Sequence, residues 1–171
     1  MSLASLMLFA FVSTIGHLHI LPDPHPAVRA ASDLVRLDAS STTMIVRDDD
    51  AAAMLTTINA ERASRGLAPL AFDDRLCAIA RSHAEDMVQR SYFGHSTPEG
   101  VSPFERMNRA HYRFSYAGEN IALDQNVAAA GNALWQSSEH RSNILEPHFE
   151  RVGIAAVNST DGEIFVVDFS D

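Results

Sequence analysis

Apolar side chains recur at helical spacing through the middle of the chain and predict four helices. The first begins at the acidic run 48–50, which supplies an N-cap and a negatively charged first turn, and it ends near Gly66. Asp73 caps the second, and the third begins at the capping box 102–105, with proline at its first helical position. An alanine-rich stretch over 127–135 predicts the fourth.

The end of the chain changes to the period of β-strands. Residues 152–157 and 163–169 are rich in β-branched and aromatic side chains, and the intervening 158–162 contains Asn, Ser, Asp and Gly, which favour a turn. The two runs predict a hairpin. Helices followed by antiparallel strands indicate an α+β domain in which helices cover a small sheet.

The N-terminal segment has the pattern of an export signal. Residues 3–15 are an apolar run too short to span a bilayer comfortably, and 28–31 offer small residues for cleavage. No Lys or Arg precedes Arg29, so an uncleaved N-terminal anchor is the alternative. We expect a secreted or extracytoplasmic protein with a signal peptide or anchor over 1–30, a linker over 31–47 and one domain over 48–171.

The charge, hydrophobic content and cysteine count of the chain limit its partners and its organisation. The 171 residues carry 13 basic side chains, all of them Arg, against 22 acidic ones, for a formal net charge of −9. This balance argues against nucleic acid and anionic membranes as primary partners. A hydrophobic content of 46% is enough for one domain with its own core, which we expect to be monomeric. Cys77 is the only cysteine, so an intrachain disulfide is excluded, and its helical neighbours indicate a small buried hydrophobe.

Three titratable side chains stand in turn-prone segments. His95, Glu119 and His140 lie beside Gly, Pro, Ser and Asn, which favour turns and helix ends where side chains can converge. Two imidazoles and a carboxylate are a common set for a divalent metal or for acid–base chemistry. The alternative is that these three side chains only hydrogen-bond to one another and hold loops together. His83, on the inward face of the second helix, fits a hydrogen-bonded core histidine better than a ligand.

Several motifs in order along the chain resemble the CAP superfamily, which contains the cysteine-rich secretory proteins, the antigen 5 proteins, the plant pathogenesis-related proteins and bacterial secreted relatives. The resemblance covers about residues 50–171. It is carried by Ile58-Asn59 with Arg62, by Gly66-Leu67, by His83-Ala84 with Asp86-Met87, by Gly118-Glu119-Asn120, and by Trp135 with Ser138, His140-Arg141 and Asn143-Ile144-Leu145. The resemblance implies a three-layer α–β–α sandwich whose antiparallel sheet ends in the C-terminal hairpin.

The family's cleft carries two His and two Glu, and the resemblance assigns three of these positions. His95 and His140 match the two histidines and Glu119 matches the first glutamate, with Asn120 beside it in the same ligand cleft. The second glutamate is replaced by Ser138, and Glu139 follows one residue later, about 100° around a helix. The resemblance therefore implies a cleft in which His95 and His140 hold Zn²⁺ or another divalent cation.

The resemblance implies a secreted binding module for a small molecule, lipid, glycan or protein, without a transmembrane domain in the mature form. One alternative is a metal-dependent, peptidase-like hydrolase that uses Glu119 as general base. Another is a structural, envelope-associated domain. The sequence contains no H-E-x-x-H, G-x-S-x-G, P-loop or G-x-G-x-x-G motif, so we favour binding over catalysis.

Overall fold

The computed structural model describes residues 44–171 and, for the backbone alone, the short strands Gly16–His17 and Val35–Arg36. Apart from these two short strands, the predicted signal or anchor, its cleavage site and most of the predicted linker lie outside the described residues and stay predictions. No helix of the described part is long and apolar enough to cross a membrane.

The described part contains five helices and seven strands. The helices are α1 (Asp48–Ala63), α2 (Asp74–Gln89), α3 (Pro103–Arg109), α4 (Val127–Gln136) and α5 (Ser138–Ile144). The strands are β1 (Gly16–His17), β2 (Val35–Arg36), β3 (Ala71–Phe72), β4 (Tyr92–Phe93), β5 (Tyr116–Asp124), β6 (Arg151–Asn158) and β7 (Glu163–Ser170). The predicted C-terminal hairpin is confirmed as β6 and β7, and β2 pairs with β4 outside the main sheet.

The main sheet has the order β1-β5-β7-β6-β3, with β7 at its centre and every residue of β7 buried. Four of its strands pair antiparallel as expected, but β3 runs parallel to β6. This difference has a local cause, because β3 belongs to the connection between α1 and α2, which runs along the edge of the sheet beside β6. The amides of Ala71 and Asp73 donate to Glu150 and Val152 on the way.

Helices cover both faces of the sheet, which confirms the three-layer α–β–α sandwich. Side chains of β6 and β7 alternate between the two faces, as the period of a strand requires. Ile154 and Val167 join the core beneath α1, α4 and α5, whereas Ala155 and Val166 join the core beneath α2. The α3 helix packs beside α2 over a third, smaller core around Met107.

The predicted helix caps are confirmed for α2 and α3. Asp73 accepts hydrogen bonds from two amides of α2, and the hydroxyl of Ser102 accepts one from Glu105. The acidic run at the start of α1 lies inside the first turn instead of capping it, since Arg47 holds the N-cap position without a side-chain cap. The amide of Arg47 donates to Ala156 on β6, so the preceding segment is fixed to the sheet and α1 begins directly after it.

Gly153 brings β6 against the backbone of α2. A Cβ at this position would lie 2.1 Å from the carbonyl carbon of Leu76 and 2.4 Å from the amide nitrogen of Cys77. Backbone atoms cannot move aside as a flexible side chain can, so the two layers would have to separate. This contact places α2, and with it the loop that carries His95, close to the sheet.

We expect Gly153→Ala to lower the free energy of unfolding by about 3 kcal/mol or more, because overpacking against backbone forces the layers apart. Urea unfolding followed by circular dichroism measures the change. Gly131→Ala is the matched control, since a Cβ there meets only a Thr57 methyl at 3.6 Å and, farther off, the Met54 sulfur at 3.9 Å. That helical position should gain roughly 0.5–1 kcal/mol. Equal effects of the two substitutions would contradict the close approach at Gly153.

Candidate functional site

Glu119 is a buried carboxylate on β5 that meets two positively polarised partners. Its Oε1 lies 2.7 Å from Nδ1 of His95, and its Oε2 accepts a hydrogen bond from the guanidinium of Arg106. The Glu119 side chain is only 1% exposed. Burial by itself would raise its pKa, but the charge of Arg106 and the hydrogen bond from His95 outweigh burial and hold the pKa below its usual range. Glu119 is therefore ionised at neutral pH.

Arg106, on α3, also fixes the loop that carries His95. Its guanidinium donates to the carbonyl oxygens of His95 at 2.7 Å and Val101 at 3.2 Å. One side chain thus neutralises Glu119 and ties down both ends of the 95–101 loop. No motif in the sequence pointed to Arg106. The signal available was weak, because it is one of 13 arginines and no local pattern indicates its carboxylate partner.

The hydrogen bond to Glu119 determines which nitrogen of His95 carries a proton. An ionised carboxylate only accepts, so Nδ1 of His95 is the protonated nitrogen of the neutral ring. Its Nε2 then has a free lone pair, and this atom is buried without a hydrogen-bond partner among the described residues. A carboxylate that fixes the tautomer of an imidazole is the arrangement that metal-binding histidines use.

His140 approaches the same place from α5. The chain leaves α4 at Ser137, whose hydroxyl accepts from the His140 amide, so the ring lies in the first turn of the new helix. The Nε2 of His140 is also buried without a partner among the described residues. Burial, and then the neighbouring imidazole of His95, lower the pKa of His140 to about 4, so the His140 ring is neutral at physiological pH. We call His95, Glu119, Arg106 and His140 the buried cluster.

Asn120 lies next to the buried cluster but serves as a connector of α5 to β5. Its amide donates to the carbonyl of His140 at 2.9 Å, and its side-chain oxygen accepts from Asn143 at 2.8 Å. Asn143 also donates to the backbone carbonyl of Glu119 at 3.2 Å. These bonds engage both ends of the Asn120 amide within the protein and fix the position of His140 relative to Glu119.

The position of the family's second glutamate is at the surface. Ser138, which stands where the family has its second glutamate, is exposed, so no carboxylate occupies that point of α5. Glu139 is partly buried, and its Oε2 is buried without a hydrogen-bond partner among the described residues. Within the described part of the chain, however, no three His, Cys, Asp or Glu side chains come together in a group that could hold a metal. Any ion at the buried cluster would therefore take two ligands from the protein, the imidazoles of His95 and His140.

His83 and Cys77 occupy structural positions. The Nε2 of His83 donates to the carbonyl of Gly94 at 3.0 Å, and burial lowers its pKa to about 4, in agreement with a neutral core histidine. The Cys77 thiol is partly buried, and burial raises its pKa. Within residues 44–171, neither side chain has the activated partner that a ligand or nucleophile needs.

Asp168 is a second buried carboxyl, and no sequence motif indicated it. It lies on β7 directly across from Glu119 and is fully buried. No described donor reaches either of its oxygens, so an ionised Asp168 would be buried without a hydrogen bond. Burial, and then the charge of the adjacent Glu119, raise its pKa well above the usual range. The feature of the sequence that could have indicated this buried carboxyl is a single aspartate inside an otherwise apolar strand.

The comparisons with known proteins identify the family and agree with the fold. A model of the cysteine-rich secretory protein family, CAP, matches residues 55–169. The Bacillus subtilis protein YkwD is 40% identical over 112 residues, which is 65% of this chain and 43% of that protein. The B. subtilis membrane protein YlbC is 33% identical over 102 residues, or 59% of this chain and 30% of that one. The chain thus spans less than half the length of these two relatives.

Solved structures share the fold. An extracellular protein containing an SCP domain from Bacillus anthracis str. Ames aligns with a TM-score of 0.64 and 28% identity, covering 72% of this chain and 40% of that one. An outer surface protein from Borrelia burgdorferi aligns with a TM-score of 0.70 and 23% identity, covering 75% of this chain and 97% of that one. The second likeness concerns the fold alone.

The raised pKa of Asp168 predicts a pH-dependent difference in stability. The native carboxyl keeps its proton to a higher pH than the unfolded one, which is ionised above its ordinary pKa of about 3.9. The stabilisation that comes from this proton is fully present below the pKa of the unfolded carboxyl. It is lost as the pH rises toward the raised pKa of the native carboxyl. Asn cannot titrate, so Asp168→Asn should be near neutral at low pH and progressively more stable than the native chain toward pH 7. Melting temperatures between pH 4 and pH 8 measure this, and a constant difference would contradict it.

Proposed function

The chain belongs to the cysteine-rich secretory protein family, and we propose that it is an extracytoplasmic binding module whose buried cluster holds one divalent metal ion. The single observation that carries this proposal is the pair of imidazole nitrogens, Nε2 of His95 and Nε2 of His140. Both are buried and neither has a hydrogen-bond partner among the described residues. Leaving two such lone pairs unpaired costs free energy, and a shared cation would satisfy both.

The donor set suits Zn²⁺ or a similar borderline ion, for which neutral imidazole is a preferred ligand. Glu119 supports this role because it accepts from Nδ1 of His95 and so leaves Nε2 free to coordinate. Two protein ligands leave further positions for water or for a donor atom of a bound molecule. Such an ion would be held weakly and would be exchangeable. When bound, it would supply a Lewis-acidic attachment point for a ligand.

Binding fits the geometry better than hydrolysis. A general base needs a carboxylate that is free to take a proton, but the two oxygens of Glu119 are occupied by His95 and Arg106. The same bonds keep its pKa low, which makes it a poor proton acceptor. An extracytoplasmic site of action is supported by the apolar segment 3–15 and by the extracellular Bacillus anthracis protein that shares the fold.

We expect the native chain to bind one Zn²⁺ in calorimetric titration and the double variant His95→Ala, His140→Ala to bind none. The physical reason is that the two substitutions remove both coordinating nitrogens. His148→Ala is the matched control, because His148 is an exposed histidine stacked on Tyr116 at 4.1 Å. It should titrate like the native chain.

Circular dichroism separates the metal role from a structural one. If the double variant keeps its helical signal and loses the Zn²⁺ heat, the metal proposal is supported. Identical titrations of the native chain and the double variant would refute it. A double variant that unfolds, together with a native chain that binds no Zn²⁺, would show that the histidines only stabilise the fold.

A further inference from the structure

A long groove lies between α2 and α3, apart from the metal-binding nitrogens proposed above. Its volume is about 650 Å³, within the range of ligand sites, and neither His95, Glu119 nor His140 lines it. One wall is a single face of α2, with side chains at 75, 78, 79, 82, 83, 86 and 90. The other walls are the C-terminal end of α3 and the loop around Thr97. We call this the α2–α3 groove.

The length of the α2–α3 groove suits an extended chain. From Arg75 to Arg90 the lining residues cover 90 − 75 = 15 helical steps, or about 22 Å at ~1.5 Å per residue. An extended peptide advances ~3.3 Å per residue, so about six residues would fill this length. A compact ligand would leave most of the groove empty.

Small side chains form the middle of the α2–α3 groove. Ala78 and Ser82 stand one turn apart on α2, and Ala110 faces them from the end of α3. All three are exposed, so a peptide backbone can approach α2 closely there. Ile79 and Val101 add apolar surface, and the hydroxyls of the groove's serine and threonine can pair with peptide amides or carbonyls.

One end of the α2–α3 groove carries the positive charge of Arg75, whose side chain is held in place by contacts within the protein. The guanidinium of Arg75 donates to the carbonyls of Ala110 and His111 at 3.1 Å and lies 5.6 Å from the ring centre of Tyr112. None of the ion pairs formed by residues 44–171 includes Arg75. Its side chain is therefore ordered by neutral groups, and its charge is available to an anionic partner.

The other end of the α2–α3 groove has an excess of negative charge. Two other arginines that line the groove, Arg106 and Arg109, are already paired with Glu119 and Glu105. Asp86 and Glu99 both pair with Arg90, which leaves two carboxylates against one guanidinium at this end. The two ends of the groove therefore have opposite sign. This polarity matches an elongated partner with an acidic group at one end and a basic group at the other.

From this length, lining and polarity we infer that the α2–α3 groove binds an extended peptide segment of about six residues. The segment has an acidic group beside Arg75, small or apolar side chains over Ala78 and Ser82, and a basic group beside Asp86 and Glu99. Backbone contacts along α2 supply affinity, and the charged ends fix the register.

Positional-scanning mixtures of hexapeptides, presented to the full chain in EDTA so that no metal contributes, test this inference. We expect enrichment of Asp or Glu at one end and of Arg or Lys at the other. The best hexapeptide is then measured by fluorescence anisotropy. Ser82→Trp fills the groove at an exposed position and should weaken binding by about tenfold or more, which is ~1.4 kcal/mol.

Charge reversal provides the sharper test. Arg75→Glu should invert the preference at the acidic end, so that this position now selects Arg or Lys. Arg65→Glu is the matched control, because Arg65 is an exposed arginine of the α1 layer that lies over Trp135. It should leave the selection unchanged. Circular dichroism confirms that each variant is folded.

Three results would overturn the inference. The first is the absence of any enriched hexapeptide with the native chain. The second is binding that survives Ser82→Trp but is lost in Gly131→Leu, which would place the peptide in the smaller groove between α1 and α4. The third is binding of decanoate without binding of any hexapeptide, since the occupant would then be a small amphipathic anion.

Discussion

The ionised carboxylate of Glu119, buried at 1% side-chain exposure, is the constraint on which the site depends. A buried charge is tolerated only where other charges and hydrogen bonds compensate it. Here the compensation comes from Arg106 on α3 and from His95 in the loop after β4. Three separate parts of the chain must therefore meet at one point of β5. Because Arg106 also binds the carbonyls of His95 and Val101, the same interaction defines the course of the loop.

Local features of the fold could be predicted from the sequence, and long-range features could not. The caps at Asp73 and Ser102 and the C-terminal hairpin follow from residues within a few positions of one another. The start of α1 depends on a backbone hydrogen bond from Arg47 to Ala156, more than a hundred residues away, so the prediction that the acidic run includes the cap is wrong. Strand β3 has two residues, too few to show a period of two, and its parallel pairing with β6 had no local signal.

In the candidate site, too, the sequence indicates the residues but not the long-range contacts that determine their chemistry. The residues His95, Glu119 and His140 were named through a resemblance to a family, since nothing in their spacing requires that they meet. Their chemistry comes from surroundings that the sequence does not display. The Nε2–H of His83 donates a hydrogen bond to a backbone carbonyl. In His95 the Nδ1–H donates to Glu119 instead, and Nε2 stays free. The same side-chain type is thus a core residue in one place and a ligand candidate in another.

Arg106 joins the two proposed binding surfaces, because it lines the α2–α3 groove and also neutralises Glu119 in the buried cluster. Its side chain is only 12% exposed, and three acceptors already hold its terminal nitrogens. A group in the groove that pulled Arg106 away would leave the Glu119 carboxylate buried and uncompensated, at a cost of several kcal/mol. Arg106 is therefore a fixed wall of the groove, and the accessible charges for a partner are at the ends, on Arg75 and on the Asp86–Glu99 pair. Because of this separation, the buried cluster and the open groove share the Arg106 side chain without competing for its charge.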